Sequence, residues 1–377
     1  MTLHTLPTPA VLIDRPRAHA NIDRMQEAAD KRGIRIRPHA KTHKSPVVAR
    51  WQIDRGAIGI CCAKLGEAEV FAAAGFTDIR LPYPLNPINA PRVFALLERT
   101  NLSFIVDHLA VARGWSDAIN QAGRSVDVLI KVDVGFHRCG IDPDPRTAID
   151  FISQVAALPG LRLKGLLSHA GHAYHATSQG NLRTIAEDEA RTLVSLVAAA
   201  RQQGVDLEEL SAGATPSARY SLEQDGLTEY RAGNYVYFDR TQVGLGAATL
   251  DDCALTVLAT VVTKPAPDRI ILDCGTKTLA ADGARGFEPL DGHGAMFRDL
   301  TMPLGQQPDR DLIIERLSEE HATVRVASGR TTLEPGDRVR VVPNHSCVVS
   351  NLVDQAWIVD GDTIIDALPI AARGKIS

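Results

Sequence analysis

Along the first two-thirds of the chain, short β-branched runs ending in Gly, Pro or Asp alternate with Ala-, Leu- and Arg-rich stretches of helical period. That alternation marks βα units around a parallel sheet. It predicts strands over 9–14, 34–41, 58–63, 78–83, 102–107, 126–134, 162–169, 207–211 and 229–237. Helices are predicted over 17–32, 46–55, 65–74, 88–98, 108–122, 144–157 and 179–203, with a shorter one over 216–223. The strand count is one too many for a (β/α)8 TIM-type barrel. Pro9–Asp14 is the strand to set aside, as one that crosses over to a second sheet. The barrel then opens with Ile34–Lys41 and closes near Glu229–Tyr237. A doubly wound open sheet is the alternative, but it would carry a glycine-rich first turn, and none is present.

From about residue 250 the texture changes. Strand-like runs (Thr256–Thr263, Arg269–Asp273, Arg338–Val342, Gln355–Val359) are joined by turn-rich segments with no long helical period. This reads as a mainly antiparallel β domain, and residues 283–310, rich in Gly, Pro and Asp, read as a long loop. The expected division is a barrel over 16–245 and a β domain built from 1–15 plus 246–377.

Composition narrows the function. The 377 residues carry 41 Lys+Arg and 45 Asp+Glu, a net charge of −4, so no basic surplus points to nucleic acid. The apolar runs fall short of the roughly 18 residues of a membrane span. The start, MTLHTLPTPAVLIDRPR, lacks the layout of a secretory signal, and a cytoplasmic location is expected. The six cysteines form no CxxC pair and read as reduced, mostly buried thiols.

In a (β/α)8 barrel the chemistry lies at the C-terminal ends of the strands. The first strand ends in Arg37-Pro38-His39-Ala40-Lys41-Thr42-His43-Lys44. A lysine at this rim, beside other cations and partly desolvated, has a lowered pKa and supplies the neutral amine a Schiff base needs. A solvated basic turn would read the same way. The fifth strand runs into Val132–Gly140, where Arg138 can point inward as a fixed donor fork or serve as a structural ion-pair partner. The sixth delivers His169, placed to stack on or hydrogen-bond a planar ligand, or to sit satisfied in the core. After the seventh and eighth strands come Ser211–Ser217 and Arg231–Tyr235, whose small residues expose backbone N–H groups where this fold builds phosphate sites. A lysine at strand one and a phosphate cradle at strands seven and eight together suggest pyridoxal phosphate. In the β domain, His345 and Cys347 would share one face of a strand, a spacing suited to two ligands of one zinc-like ion with open positions. A buried Cys beside a His is the plainer alternative. Ser318-Glu319-Glu320-His321 could add ligands or a base, or be a solvated turn.

With these residues in view, the sequence resembles the D-threonine aldolase and D-serine dehydratase family, whose barrel is that of alanine racemase. The resemblance runs through RPHAKTHKS (37–45), VDVGFHRCG (132–140), SHAGHAY (168–174), SAGATPSA (211–218), YRAGNYVYFD (230–239), LDCGTKT (272–278), SEEH (318–321), PNHSC (343–347) and AARG (371–374). It implies that Lys41 is the Schiff-base lysine and that Arg138 lies near the phenolic oxygen of the cofactor. Gly213, Thr215, Gly233 and Asn234 match the phosphate cradle, and His169 and Tyr174 match positions beside the ring. Arg231 occupies the ring-nitrogen position, where other members carry Gln or His. His345 and Cys347 match ligands of a divalent metal such as zinc or manganese. A homodimer is implied too, with the β domain of one subunit reaching the other's barrel mouth.

The activity expected first is a lyase on β-hydroxy-D-amino acids of the D-threonine aldolase kind, giving glycine and an aldehyde. His169 or a metal-bound water would be the base. The alternative is a D-serine or D-threonine dehydratase giving a 2-oxo acid and ammonia. The His-x-Cys pair leans that way, since aldolases of the family often show His-x-Asp. A racemase, favoured by a cation at the ring nitrogen, and a non-catalytic cofactor-binding protein are lesser options.

Overall fold

The computed structural model describes residues 2–377. Its first sheet has eight parallel strands. Arg35–Ile36 lies beside Glu229–Tyr230, followed by Glu209–Ala212, Leu161–Leu167, Val126–Lys131, Asn101–Val106, Asp78–Pro84 and Ile60–Cys61. A parallel bridge between His39 and Cys61 joins the two ends, and the sheet closes into a barrel. The open doubly wound alternative is thereby excluded. Helices follow the strands as the periodicity predicts, the longest being Gln179–Gln202, which buries Leu182, Ile185, Leu193 and Leu196 on one face.

Several strands are shorter than predicted, and the shortening falls at the C-terminal rim. The first regular strand ends at Ile36, although Arg37 and His39 still donate to the Tyr230 and Ala232 carbonyls; the chain then turns through a 3-10 turn, Ala40–Thr42. The last ends at Tyr230, and Asn234–Val236 forms another 3-10 turn where a strand to 237 was expected. Segment 58–63 reduces to Ile60–Cys61, and 216–223 to the short helix Ala218–Ser221.

The second sheet has nine strands. Ala10–Asp14 belongs to it, antiparallel to Leu255–Ala266 and parallel to Gln355–Asp360. All five of its side chains are buried, as befits a strand with neighbours on both edges. The stretch 283–310 is not all loop. Gly294–Phe297 is a strand against Arg338–Pro343, held there by the burial of Met296 and Phe297. No described helix is long and apolar enough to cross a membrane.

Candidate functional site

One cavity of about 830 Å³ opens at the C-terminal rim of the barrel, beneath the second sheet. Lys41, Arg138, His169 and Tyr174 line it from the barrel, and so do Gly213, Thr215, Arg231, Gly233 and Asn234. His345 and Cys347 line it from the second sheet's side. The residues that the resemblance assigns to cofactor and metal thus meet in one place. The SEEH segment does not: Glu319 and Glu320 pair with Lys277 on the surface, each at 2.9 Å.

Lys41 projects from the 3-10 turn into the cavity, open to it yet surrounded by protein. Burial lowers its pKa, Arg138 and Arg231 lower it further, and Cys347 and Glu67 oppose them. The lowering cations are therefore not its neighbours in sequence. Arg37 faces the barrel interior, where it pairs with Glu229 and Asp78. Lys44 forms a buried pair with Glu67 at 2.6 Å. His43 is driven down to about 3 by burial and His39 is also lowered, so both imidazoles are neutral near neutral pH.

His169 follows strand Leu161–Leu167. Its Nδ1 lies 2.6 Å from the Gly213 carbonyl, which can only accept, so Nδ1 carries the proton and Nε2 is left as an acceptor. Burial lowers its pKa, and Lys131 and Lys41 add to the effect. Its ring meets Phe136 edge-on at 5.9 Å. The Phe136 face also carries the Arg138 guanidinium at 5.2 Å. Arg231 is buried; its Nε donates to Ser211 Oγ at 2.6 Å and a terminal nitrogen donates to the Ser168 carbonyl.

The loops after the seventh and eighth strands lie against each other. A Cβ on Gly213 would stand 3.0 Å from the Arg231 backbone, and one on Gly233 would stand 2.8 Å from the His39 carbonyl. Among the described residues the backbone N–H groups of Gly233 and Asn234 find no partner, and neither do the buried Thr215 hydroxyl and the Gln242 amide. Unpaired donors around a small space are what a phosphate would satisfy. Together with the free Lys41 amine, these groups fit pyridoxal phosphate.

The sequence placed His345 and Cys347 on a strand; the structure does not. Pro343 ends the strand, His345 is the extended residue that precedes a short helix, Ser346–Ser350, and Cys347 lies inside that helix. The two side chains still meet. His345 Nδ1 is 2.5 Å from Asp282 Oδ2, and Cys347 Sγ is 3.3 Å from Thr42 Oγ1 and 3.4 Å from Asn234 Nδ2. Burial pulls the His345 pKa down, but the Cys347 thiolate, Asp239 and Asp282 overcome it and raise the imidazole to about 10. Burial pushes the Cys347 thiol up, yet His345 beside it brings the net shift down. An imidazole and a thiolate suit a borderline divalent ion. No group of three or more His, Cys, Asp or Glu among the described residues is arranged to hold one. The pair therefore fits an open, two-donor site and not a closed structural one.

Among the cavity residues that escaped the sequence reading are Lys131, Asp282 and Gln242. Lys131 is the last residue of strand Val126–Lys131 and is buried. A charge at the C-terminal end of a barrel strand was the available signal. Asp282, the partner of His345, sits in an irregular segment with no pattern to mark it.

The family model "Alanine racemase, N-terminal domain" matches residues 13–241, and "Putative serine dehydratase domain" matches residues 254–359. D-threo-3-hydroxyaspartate dehydratase of Delftia sp. is 35% identical over 92% of each chain. D-threonine aldolase of Arthrobacter sp. is 33% identical over 99% of this chain and 94% of its own. The chain belongs to the D-threonine aldolase and D-serine dehydratase-like family. Its fold is the alanine racemase type followed by a mostly antiparallel sheet. A solved Cys-to-Ala variant of D-threo-3-hydroxyaspartate dehydratase, described as in the metal-free form, superposes with a TM-score of 0.90 at 32% identity, covering 98% of each chain.

Proposed function

We propose that this chain is a pyridoxal phosphate-dependent lyase of β-hydroxy-D-amino acids, working with a divalent metal, and that its reaction is β-elimination to a 2-oxo acid and ammonia. The observation that carries the reading is the meeting of the Lys41 amine with the His345–Cys347 pair in one cavity. Lys41, the loops at Gly213–Thr215 and Gly233–Asn234, Arg138 and Arg231 would hold the cofactor. Bound there, it supplies an electron sink for the bond broken at Cα. His345 and Cys347 would hold the metal, whose chemistry is Lewis-acid polarisation of an oxygen.

Elimination needs a base at Cα and help for a departing hydroxyl. Lys41 makes no ion pair among the described residues, and its lowered pKa leaves amine available to take the Cα proton. The carboxylates near His345 and Cys347 are already engaged. Asp282 faces His345, Asp239 accepts from Asn234, Ser346 and Gln242, and Glu67 holds Lys44 and the Ala63 N–H. None is free to remove a β-hydroxyl proton, the step that retro-aldol cleavage requires. The departure of His-x-Cys from the His-x-Asp frequent in aldolases supports the same choice, as does the dehydratase relative.

Retro-aldol cleavage to glycine and an aldehyde is the second reading. The unengaged His169 Nε2 favours it as a base, and so does the likeness to D-threonine aldolase along nearly the whole chain. Product analysis separates the two. With D-serine, D-threonine and D-threo-3-hydroxyaspartate, the holoenzyme should release ammonia and the matching 2-oxo acids. Glycine with an aldehyde would assign it to the aldolases. No visible absorbance retained by the protein after pyridoxal phosphate is added and the unbound excess removed would overturn both.

A further inference from the structure

The interior of a (β/α)8 barrel is ordinarily filled by branched apolar side chains. Here one layer, just below the cavity, is charged. Glu229, fully buried, receives Arg37 Nε at 2.7 Å, Arg80 at 2.6 Å and the Ser211 hydroxyl at 2.6 Å. Arg37 also holds Asp78, and Arg80 holds Glu209 at 2.7 Å and Ser103 Oγ at 2.9 Å. The burial of so many charges is unfavourable unless every member is paired. The two arginines face three carboxylates, Glu229, Asp78 and Glu209, which leaves one negative charge in excess. Arg231 lies next to this layer, and its guanidinium feels the Glu229 charge. Its own hydrogen bonds go only to neutral oxygens, one of them Ser211 Oγ, the atom that donates onward to Glu229.

We propose that Ser211 and Glu229 are positioning residues for Arg231: the Arg231–Ser211–Glu229 chain fixes the guanidinium at the cavity floor and so sets the environment of the cofactor's ring nitrogen. The inference rests on the cavity's being the pyridoxal phosphate site. Glu229 holds its charge because Arg80 and Arg37 outweigh the burial that opposes ionisation, and its pKa stands at about 2. Ser211 is the switch-free link. Its hydroxyl has one proton, committed to Glu229, so toward Arg231 it can only accept. That polarity fixes Nε–H of Arg231 along a single direction and leaves its remaining N–H groups to the carbonyl and the cavity. Arg231 then offers a ring nitrogen N–H donors held in that one direction.

The test compares holoenzymes that carry pyridoxal phosphate labelled at the ring nitrogen. Ser211→Ala removes the link and leaves the Arg37–Glu229–Arg80 pairs in place. It should shift the ring-nitrogen resonance, displace the pH midpoint of the visible band, and weaken cofactor binding about tenfold, the scale of one charge-assisted hydrogen bond. Ser211→Thr, which keeps the hydroxyl, should restore all three. Ser103→Ala loosens Arg80 at the far side of the layer and should lower thermal stability without moving the resonance. An unchanged resonance in Ser211→Ala, or an equal shift in Ser103→Ala, would overturn the proposal and make the layer purely structural. Failure of the parent to bind the cofactor would instead overturn the reading of the cavity.

Discussion

At the scale of single residues, the cavity floor is notable for its unneutralised amines. Lys131 is 3% exposed, and burial pulls its pKa to about 7, helped by Arg231 and Arg138 and opposed by Cys139 and Glu189. A free lysine titrates near 10.4. Between these two values the unfolded chain holds a proton that the folded chain has released, so stability rises with pH across that window, by up to about 1.4 kcal/mol per unit. Below the window both states are charged, and above it both are neutral, and the contribution is flat. Lys131→Met keeps the bulk and removes the titration. In urea titrations of the cofactor-free protein, the parent should gain stability relative to this variant from about pH 7 to about pH 9. A constant difference would mean that the amine is charged in the fold. Lys41, shifted the same way, is present in both proteins and cancels.

At the scale of elements, function resides in the short turns that follow the strands. Gly233 needs no unusual backbone angle; it is required by crowding, with the Thr42 hydroxyl 2.9 Å and the His39 carbonyl 2.8 Å from where a Cβ would be. Those atoms belong to the turn that carries Lys41, so pressure on the eighth loop is passed directly to the lysine. Gly233→Ala should destabilise the cofactor-free protein by about 1–3 kcal/mol, the usual scale of overpacking. It should also weaken pyridoxal phosphate binding by at least about tenfold, through the displaced N–H donors. Denaturant titration and equilibrium dialysis read the two effects separately. These turns also show where the sequence stops being legible. The order and number of the barrel strands could be read, because their interiors alternate with helices of clear period; in the second sheet, where no helix punctuates the chain, Leu312–Leu317, Ala322–Val326 and Thr363–Pro369 went unread. The ends of the barrel strands could not be read, because the 3-10 turns Ala40–Thr42 and Asn234–Val236 take the chain out of the ladder to face the cavity. Local chemistry there overrides the β-branched pattern that suggested longer strands. The same limit applies to His345 and Cys347, whose two-residue spacing was right for a shared site and wrong for a strand.

At the scale of the whole molecule, the site is shared between two sheets. Lys41, the loops after the seventh and eighth barrel strands, Arg138 and Arg231 come from the barrel, whereas His345, Cys347 and Asp282 come from the second sheet and its loops. At the site the join runs through Asn234, Asp239 and Thr42: Asn234 Nδ2 reaches Ser346 Oγ at 3.1 Å and Cys347 Sγ at 3.4 Å, Asp239 accepts from the Ser346 N–H at 3.0 Å, and Cys347 reaches Thr42. The sequence placed both halves of this chemistry but could not show that they face each other, since that depends on packing between residues some three hundred positions apart. The division predicts that cofactor and metal are lost independently. Chelation of the holoenzyme should stop turnover while the visible absorbance of bound pyridoxal phosphate persists, because none of the barrel groups that hold the cofactor belongs to the His345–Cys347 pair. Returning a divalent cation should restore the rate. Cys347→Ala should reproduce the chelated state and resist rescue, leaving the cofactor bound with a dissociation constant within about threefold of the parent's, since it removes contacts to Thr42, Asn234 and His345 but leaves the lysine and the backbone donors in place. Loss of the absorbance on chelation would mean that the two halves fold around one shared set of ligands. Turnover that survives chelation and metal analysis of the stripped protein would remove the second sheet's pair from the chemistry.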